Sequence, residues 1–367
     1  MGRDASRPIF FIIQPLPFFT RYCTYLMRIL IFLSVCSVLF LSACGESGDK
    51  SKVFNPKTDN IDSVYTSYKK QGKTVPMDVL LAHGNLLLDE SKFSEALKDG
   101  AEAYRREPSN VDARLLYAKC LNNKPERTHA DRTSAQKHFK YILKKQPKNL
   151  EVLIQLAASY AEMGDEENAF HYCNEALRIN KHYRDAYVLK GKIYDAGGNS
   201  KLAISSFETA IQQDPDFFPA YLYLGEIYQY DKNDPMAIEY FLSAEQIEPN
   251  NTEILYKLAF AYQYFGKYSS ATSVYRRMQK VDPNFAVSWF QIGWIKQFGE
   301  KEIDSALHYY NVTTIKEPQY VEAWHNMGLI YEENKKDKYE AIKCYKQAVK
   351  YNKDFELSVE ALKRLSK

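Results

Sequence analysis

The chain has 367 residues, of which 45% are hydrophobic and 26% charged, and a formal net charge of +3. Four arginines among residues 1–44, set against Asp4 alone, account for that entire excess, so the remaining sequence is electrically balanced. Balance argues against nucleic acid, whose binding needs a basic face. The sequence also contains no H-E-x-x-H, Gly-rich phosphate loop or G-x-S-x-G, which argues against the common catalytic classes.

Residues 1–26 carry Pro8, Pro15 and Pro17 and fit poorly in front of an export signal. They are read as a misassigned N-terminal extension, with translation starting at Met27. Residues 27–43 have the form of such a signal: Arg28, the apolar run Ile29–Leu41, then the small residues Ser42 and Ala43. The ending Leu41-Ser42-Ala43-Cys44 resembles a bacterial lipobox, which implies that Cys44 becomes the lipid-modified first residue, its thiol carrying the thioether. Gly45 rather than Asp in the next position resembles lipoproteins forwarded to the outer membrane. The implied location is therefore the bacterial cell envelope, lipid-anchored at the outer membrane and facing the periplasm. Two other readings stand beside this one. Leu26–Ala43 is long enough for an uncleaved anchor, and Met1-Gly2-x-x-x-Ser6 matches a myristoylation pattern. Residues 44–60 are polar after the cysteine, lack apolar periodicity, and read as a flexible tether.

Ile61, Val64, Tyr65 and Tyr68 fall at i, i+3, i+4 and i+7, predicting a short capping helix within 61–76. Beyond it the prolines recur. Pro215, Pro249 and Pro283 are 34 residues apart, Pro318 comes after another 35, and Pro147 precedes Pro215 by 68, two such steps. A period of this length predicts a stacked-repeat solenoid, in which each unit buries its apolar face against its neighbours. Within one interval, Trp324, Met327, Gly328 and Tyr331 lie on one helix face, and Ala341, Tyr345 and Ala348 on the face of a second. The small slot (Gly84, Ala118, Ala157, Gly191, Gly225, Ala259, Gly293, Gly328) sits mid-helix, where Gly costs about 1 kcal/mol against Ala and close helix approach compensates. Eight units result: 77–110, 111–149, 150–183, 184–217, 218–251, 252–285, 286–320 and 321–355. The second has about five extra residues near Asn122–His129, read as a longer loop. Leu357, Ala361 and Leu365 predict a second capping helix over 356–367.

These residues resemble the tetratricopeptide repeat, whose pattern is W-x2-L-G-x2-Y, then A-x3-F, then P. Trp289-x2-Ile292-Gly293 and Trp324-x2-Met327-Gly328-x2-Tyr331 match it, as do Tyr187, Gly191, Tyr194, Ala203, Phe207, Ala210 and Pro215. Lys181 and Lys353 stand where the closing Pro belongs, and Lys296 where the Tyr belongs. The resemblance implies an all-α right-handed superhelix of antiparallel helix hairpins, with the first helices lining a concave surface that holds other proteins.

In such repeats the exposed groove positions lie three before, one after, and four or five after the small slot. They are Leu222, Glu226, Gln229 and Tyr230 in the fifth unit, and Tyr256, Phe260, Gln263 and Tyr264 in the sixth. The seventh contributes Phe290, Trp294, Gln297 and Phe298. The aromatics and the amides, Gln229, Gln263 and Gln297 at 34-residue steps, form the candidate groove for an extended segment or a helix of a protein partner. Some of those rings have the alternative of packing within the stack. The basic clamp that chaperone-binding members of this family use for a C-terminal carboxylate is missing: the first unit has Asn85 but Leu81, and the fourth Lys192 but Val188.

Cys120, Cys173 and Cys344 stand in three distant units and read as core residues, with no metal spacing. No histidine has a nucleophile and base pattern around it. No catalytic residue, metal, cofactor, small-molecule substrate or nucleic acid is therefore expected. The expected partners are proteins and, through the lipid, the membrane. The function expected is a scaffold or adaptor in envelope assembly or secretion. An alternative is a specificity or regulatory subunit of an envelope enzyme, a cell-wall hydrolase or a glycosyltransferase, without catalysis of its own.

Overall fold

The computed structural model describes residues 60–366. The readings on residues 1–59, Cys44 and both alternative anchors among them, and on Lys367 lie outside the described residues. All regular structure in the described part is helical. The described residues up to Gly198 form one compact unit and those from Asn199 a second.

The first unit holds α1 (Ile61–Lys70), α2 (Met77–Asp89), α3 (Phe93–Arg106), α4 (Val111–Asn123), α5 (His129–Lys145), α6 (Leu150–Glu162), α7 (Glu166–Ile179) and α8 (Arg184–Ala196). In the second are α9 (Ser200–Gln213), α10 (Phe218–Tyr230), α11 (Asp234–Ile247), α12 (Thr252–Tyr264), α13 (Tyr268–Val281), α14 (Ala286–Trp294), α15 (Ile303–Lys316), α16 (Val321–Leu329), α17 (Lys338–Tyr351) and α18 (Glu356–Leu365). The division falls inside the interval 184–217, between its two helices.

Local chemistry explains where the helices start and stop. Asn110, Asn149 and Asn251 cap first helices, and Asp165, Asn199, Asn233 and Asp337 cap second helices, each side-chain oxygen accepting from a backbone N–H of the first turn. Such a cap contributes about 0.5–2 kcal/mol. Outside the second repeat, first helices close by a left-handed residue at the turn, Gly164, Lys232 and Gly266 among them. The next N–H then reaches back: Asp165 to Tyr160, Asn233 to Tyr228 and Lys267 to Tyr262, at 3.0, 2.8 and 2.8 Å.

The seventh and eighth repeats are one residue longer, and that residue widens the end of the first helix. Ile295–Gly299 and Ile330–Asn334 are π-helical, with Glu300 N–H donating to Ile295 O at 2.9 Å and Lys335 N–H to Ile330 O at 3.0 Å. Lys301 and Lys336 then take the left-handed position that Gly266 holds in the sixth.

The extra length of the second repeat is not all loop, which corrects the sequence reading. A capping box between Thr128 and Asp131 starts α5 early, giving it 17 residues where α7 has 14.

Packing is organised by the small slots. A Cβ on Gly225 would stand 2.5 Å from the Phe241 ring, and one on Gly328 2.5 Å from the Tyr345 ring. Phe139, Phe207, Phe241, Tyr275, Tyr310 and Tyr345 occupy the same second-helix slot and are fully buried. A second recurring tie joins the repeat to the turn before it. The residue four before the small slot donates to a carbonyl six residues back: Trp289 to Pro283 (3.3 Å), Trp324 to Pro318 (2.8 Å), Tyr221 to Pro215 (3.0 Å) and Tyr187 to Lys181 (2.9 Å). The repeat's first aromatic thus fills core and caps a carbonyl at once.

Both ends of the described chain are covered. Ile61, Val64, Tyr65 and Tyr68 of α1 lie on Val75, Val79 and Leu80. The Tyr65 hydroxyl donates to buried Asp99 at 2.8 Å, and His83 Nδ1 stands 2.5 Å from the same carboxylate. At the other end Ala361, Leu362 and Leu365 of α18 pack on Ala341 and Tyr345.

Candidate protein-binding groove

Every groove residue read from the sequence lies in the second compact unit, on α10, α12, α14 or the π-turn that extends α14. Their surroundings divide them. Tyr230 is 86% exposed, Tyr264 47% and Phe298 46%. These three occupy one position, five residues past the small slot, in three successive repeats. Trp294 and Phe260 are half-buried, Trp294 with its ring 5.3 Å from Phe298 and Phe260 stacked on Tyr256 at 5.9 Å. Tyr256 is half-buried too, and burial pushes its phenol up to about 12.

Three of the candidates are core. Leu222 and Phe290 are each 3% exposed; Leu222 sits in the cluster around Phe241, and Phe290 packs on Tyr310 and Tyr320. Gln263 is 8% exposed. Its side-chain carbonyl accepts from the Tyr275 hydroxyl at 3.1 Å, and its amide donates to Gln291 at 3.0 Å. Gln297 accepts from the Tyr310 hydroxyl at 2.8 Å. The recurring amide, read as a partner for peptide backbone, serves instead to satisfy a buried phenol in the sixth and seventh repeats. Gln229 is half-buried and in its repeat the second-helix slot holds Phe241, which has no hydroxyl.

Sequence reasoning missed this polar ladder. It continues into the eighth repeat, where Asn326 donates to the Tyr310 hydroxyl at 3.2 Å and the Tyr345 hydroxyl donates to Glu332 at 2.8 Å. The legible signal is the tyrosine itself: Tyr275, Tyr310 and Tyr345 fill the second-helix slot where the second, fourth and fifth repeats have Phe, while the position four past the small slot is polar beside Phe as well, as at Asn122, Asp195 and Gln229.

Three thiols and two imidazoles inside the stack are held in their neutral forms. Burial pushes the Cys120, Cys173 and Cys344 thiols up to about 12, so they are poor nucleophiles near neutrality. Burial, with Arg114 nearby, pushes His138 down to about 4; burial, with Arg364 nearby, does the same for His325. Among the described residues no group of three His, Cys, Asp or Glu could hold a metal ion, and no helix is long and apolar enough to cross a membrane.

Helix pairs in period, a small residue where they cross and a row of rings on successive first helices define a repeat scaffold. Three family models, each described as a tetratricopeptide repeat, match residues 150–183, 185–217 and 321–364, residues 81–130, and residues 253–284, together more than half of the sequence. The chain belongs to the tetratricopeptide repeat family, and as such is a protein-interaction scaffold. Among solved structures, the C-terminal part of a TPR repeat-containing protein from Cytophaga hutchinsonii is similar, with a TM-score of 0.55 and 18% identity, over 68% of this chain and 99% of that one. The human IFIT1 dimer with PPP-AAAA has a TM-score of 0.57 and 18% identity, over 83% of this chain and 76% of that one. At such identity the likeness is one of fold. No curated protein matches the chain.

Proposed function

We propose that this protein is a lipid-anchored scaffold or adaptor of the bacterial envelope, held at the outer membrane and facing the periplasm. It captures protein partners in envelope assembly or secretion through the face formed by its first helices. The observation that carries the capture is the row Tyr230, Tyr264 and Phe298, three large rings exposed at one position of consecutive repeats. Exposed aromatics in register are unusual on a solvated face and supply hot-spot energy when a partner covers them. The anchor rests on Leu41-Ser42-Ala43-Cys44, and two or more acyl chains hold a protein stably where one does not. The balanced charge supports a protein over a phosphate-rich ligand such as the PPP-AAAA held by human IFIT1.

Crosslinking in intact cells and then capture tests the reading. The wild-type chain is expected to yield a defined protein partner, and a chain carrying Tyr264→Ala with Trp294→Ala to lose it while keeping its helical content. A double variant that retains the partner at full yield refutes the groove. Cys44→Ala is expected to leave the outer-membrane fraction; unchanged fractionation and mass refute the anchor.

A further inference from the structure

The charge of the groove points to the chemistry of what it holds. This inference rests on the proposed groove and adds the class of partner. In the fifth to eighth repeats, the positions three before, one after, and four and five after the small slot contain no lysine or arginine. They contain Glu226, Glu332 and Glu333. Two of these are neutralised within the fold, Glu226 by Lys257 and Glu332 by Arg364. Glu333 is exposed, and the Arg364 guanidinium that pairs with Glu332 is the cation of the fold its charge acts on.

Glu333 is also the continuation of the ring row. Five past the small slot stand Tyr230, Tyr264, Phe298 and then Glu333, one on each of four successive repeats. The widened turns of the seventh and eighth repeats both lie at this end of the first helix, so Phe298 and Glu333 belong to equivalent π-turns.

Faces of electron-rich rings attract cations, arginine above all, and a carboxylate at the end of the row adds to the attraction. The first helices of the fifth and sixth repeats, which hold Tyr230 and Tyr264, touch, and helices in contact lie about 8–10 Å apart. An extended polyproline II segment advances about 9.3 Å every three residues. We propose that the row Tyr230–Tyr264–Phe298–Glu333 holds an extended protein segment carrying an arginine or lysine at every third residue. Each cation stacks on one ring, and the last pairs with Glu333.

The test uses the purified full-length chain and dye-labelled twelve-residue peptides read by fluorescence anisotropy. One repeats Arg-Ser-Pro; the others replace every Arg by Glu or by Ser, or place Arg at every second position. The Arg-Ser-Pro peptide is expected to bind about tenfold or more tighter than the Ser peptide and the every-second-residue peptide. Glu333→Lys and Tyr230→Ala, both at exposed positions, are each expected to weaken it by about threefold to tenfold. Equal binding of the Ser peptide, or Arg binding untouched by both substitutions, overturns the proposal. So does a twelve-nucleotide single-stranded RNA that binds with the same dependence on Tyr230. If cellular partner capture is lost in the groove variants while the Arg peptide does not bind, the groove stands and the basic-segment proposal falls. If neither responds, both fall.

Discussion

Gln229 and Gln263 occupy the same position of adjacent repeats, yet their replacement should have opposite consequences. Gln263→Leu keeps most of the side-chain volume and removes both hydrogen bonds. The Tyr275 hydroxyl, fully buried, loses the acceptor at 3.1 Å, and the Gln291 side-chain carbonyl loses the amide donor at 3.0 Å. A buried group left without its partner costs about 1–3 kcal/mol, so destabilisation of that size is expected. Gln229→Leu orphans no phenol, because Phe241 stands in the second-helix slot, and should stay within about 0.5 kcal/mol. Adding Tyr275→Phe to Gln263→Leu removes the orphaned phenol and should recover its share of the loss, since replacing both partners of a bond by apolar groups is close to neutral. The assay is urea unfolding monitored by tryptophan emission. Trp289, Trp294 and Trp324 are the only tryptophans of the sequence, so the signal reports on the seventh and eighth repeats beside the mutated one. That locality matters because repeat arrays need not unfold as one unit. Equal effects of the two Gln→Leu substitutions, or no recovery in the double variant, would falsify the ladder as a stabilising element.

Three further outcomes are expected. Phe290→Ala should cost about 3–5 kcal/mol of stability as a buried aromatic, while Tyr230→Ala should leave the urea midpoint unchanged and weaken partner capture; reversed effects would contradict the assignment of core and groove. Gly225→Ala should destabilise by about 1–3 kcal/mol, because its Cβ meets the buried Phe241 ring at 2.5 Å and the helix-propensity gain of about 1 kcal/mol does not offset the clash; a raised melting temperature would show that the ring yields. His138 and His325 have folded values of about 4 against an ordinary 6.5, so below pH 6.5 the unfolded chain binds more protons than the folded one. Stability should therefore fall as pH drops from about 6.5 to about 4. A His325→Asn variant with an undiminished decline would exclude that side chain as a contributor.

Much of the fold was legible because a repeat writes its rules several times. The small slot, the alanine of the second helix and the closing proline appear in parallel columns, so one ambiguous position is corrected by its equivalents. Fewer site residues could be read, and the reason is physical. Period places Phe290 and Phe298 on one first helix and its turn, but whether a ring is covered depends on what the chain later lays over it: Tyr320, at the end of the same repeat, lies over Phe290 at 4.8 Å while Phe298 remains exposed. The Gln column misled because an amide serves a peptide or a phenol equally well, and only Tyr275 and Tyr310 decide between them. The length of α5 was hidden because a five-residue surplus does not say where a capping box will restart the helix.

The π-turns at Ile295–Gly299 and Ile330–Asn334 imply something about how such a chain tolerates change. An added residue in the middle of a helix would rotate everything after it by about 100° and carry each packed side chain off its neighbour. Here the surplus is confined to the last turn, and Glu302 N–H and Asp337 N–H still find carbonyls, those of Lys296 and Tyr331, at 2.7 and 2.8 Å. Each hairpin thus acts as a buffer against slippage, so a length change in one leaves the register of the next intact. The seam between a first helix and its turn is where a repeat can hold an added residue without rebuilding the stack.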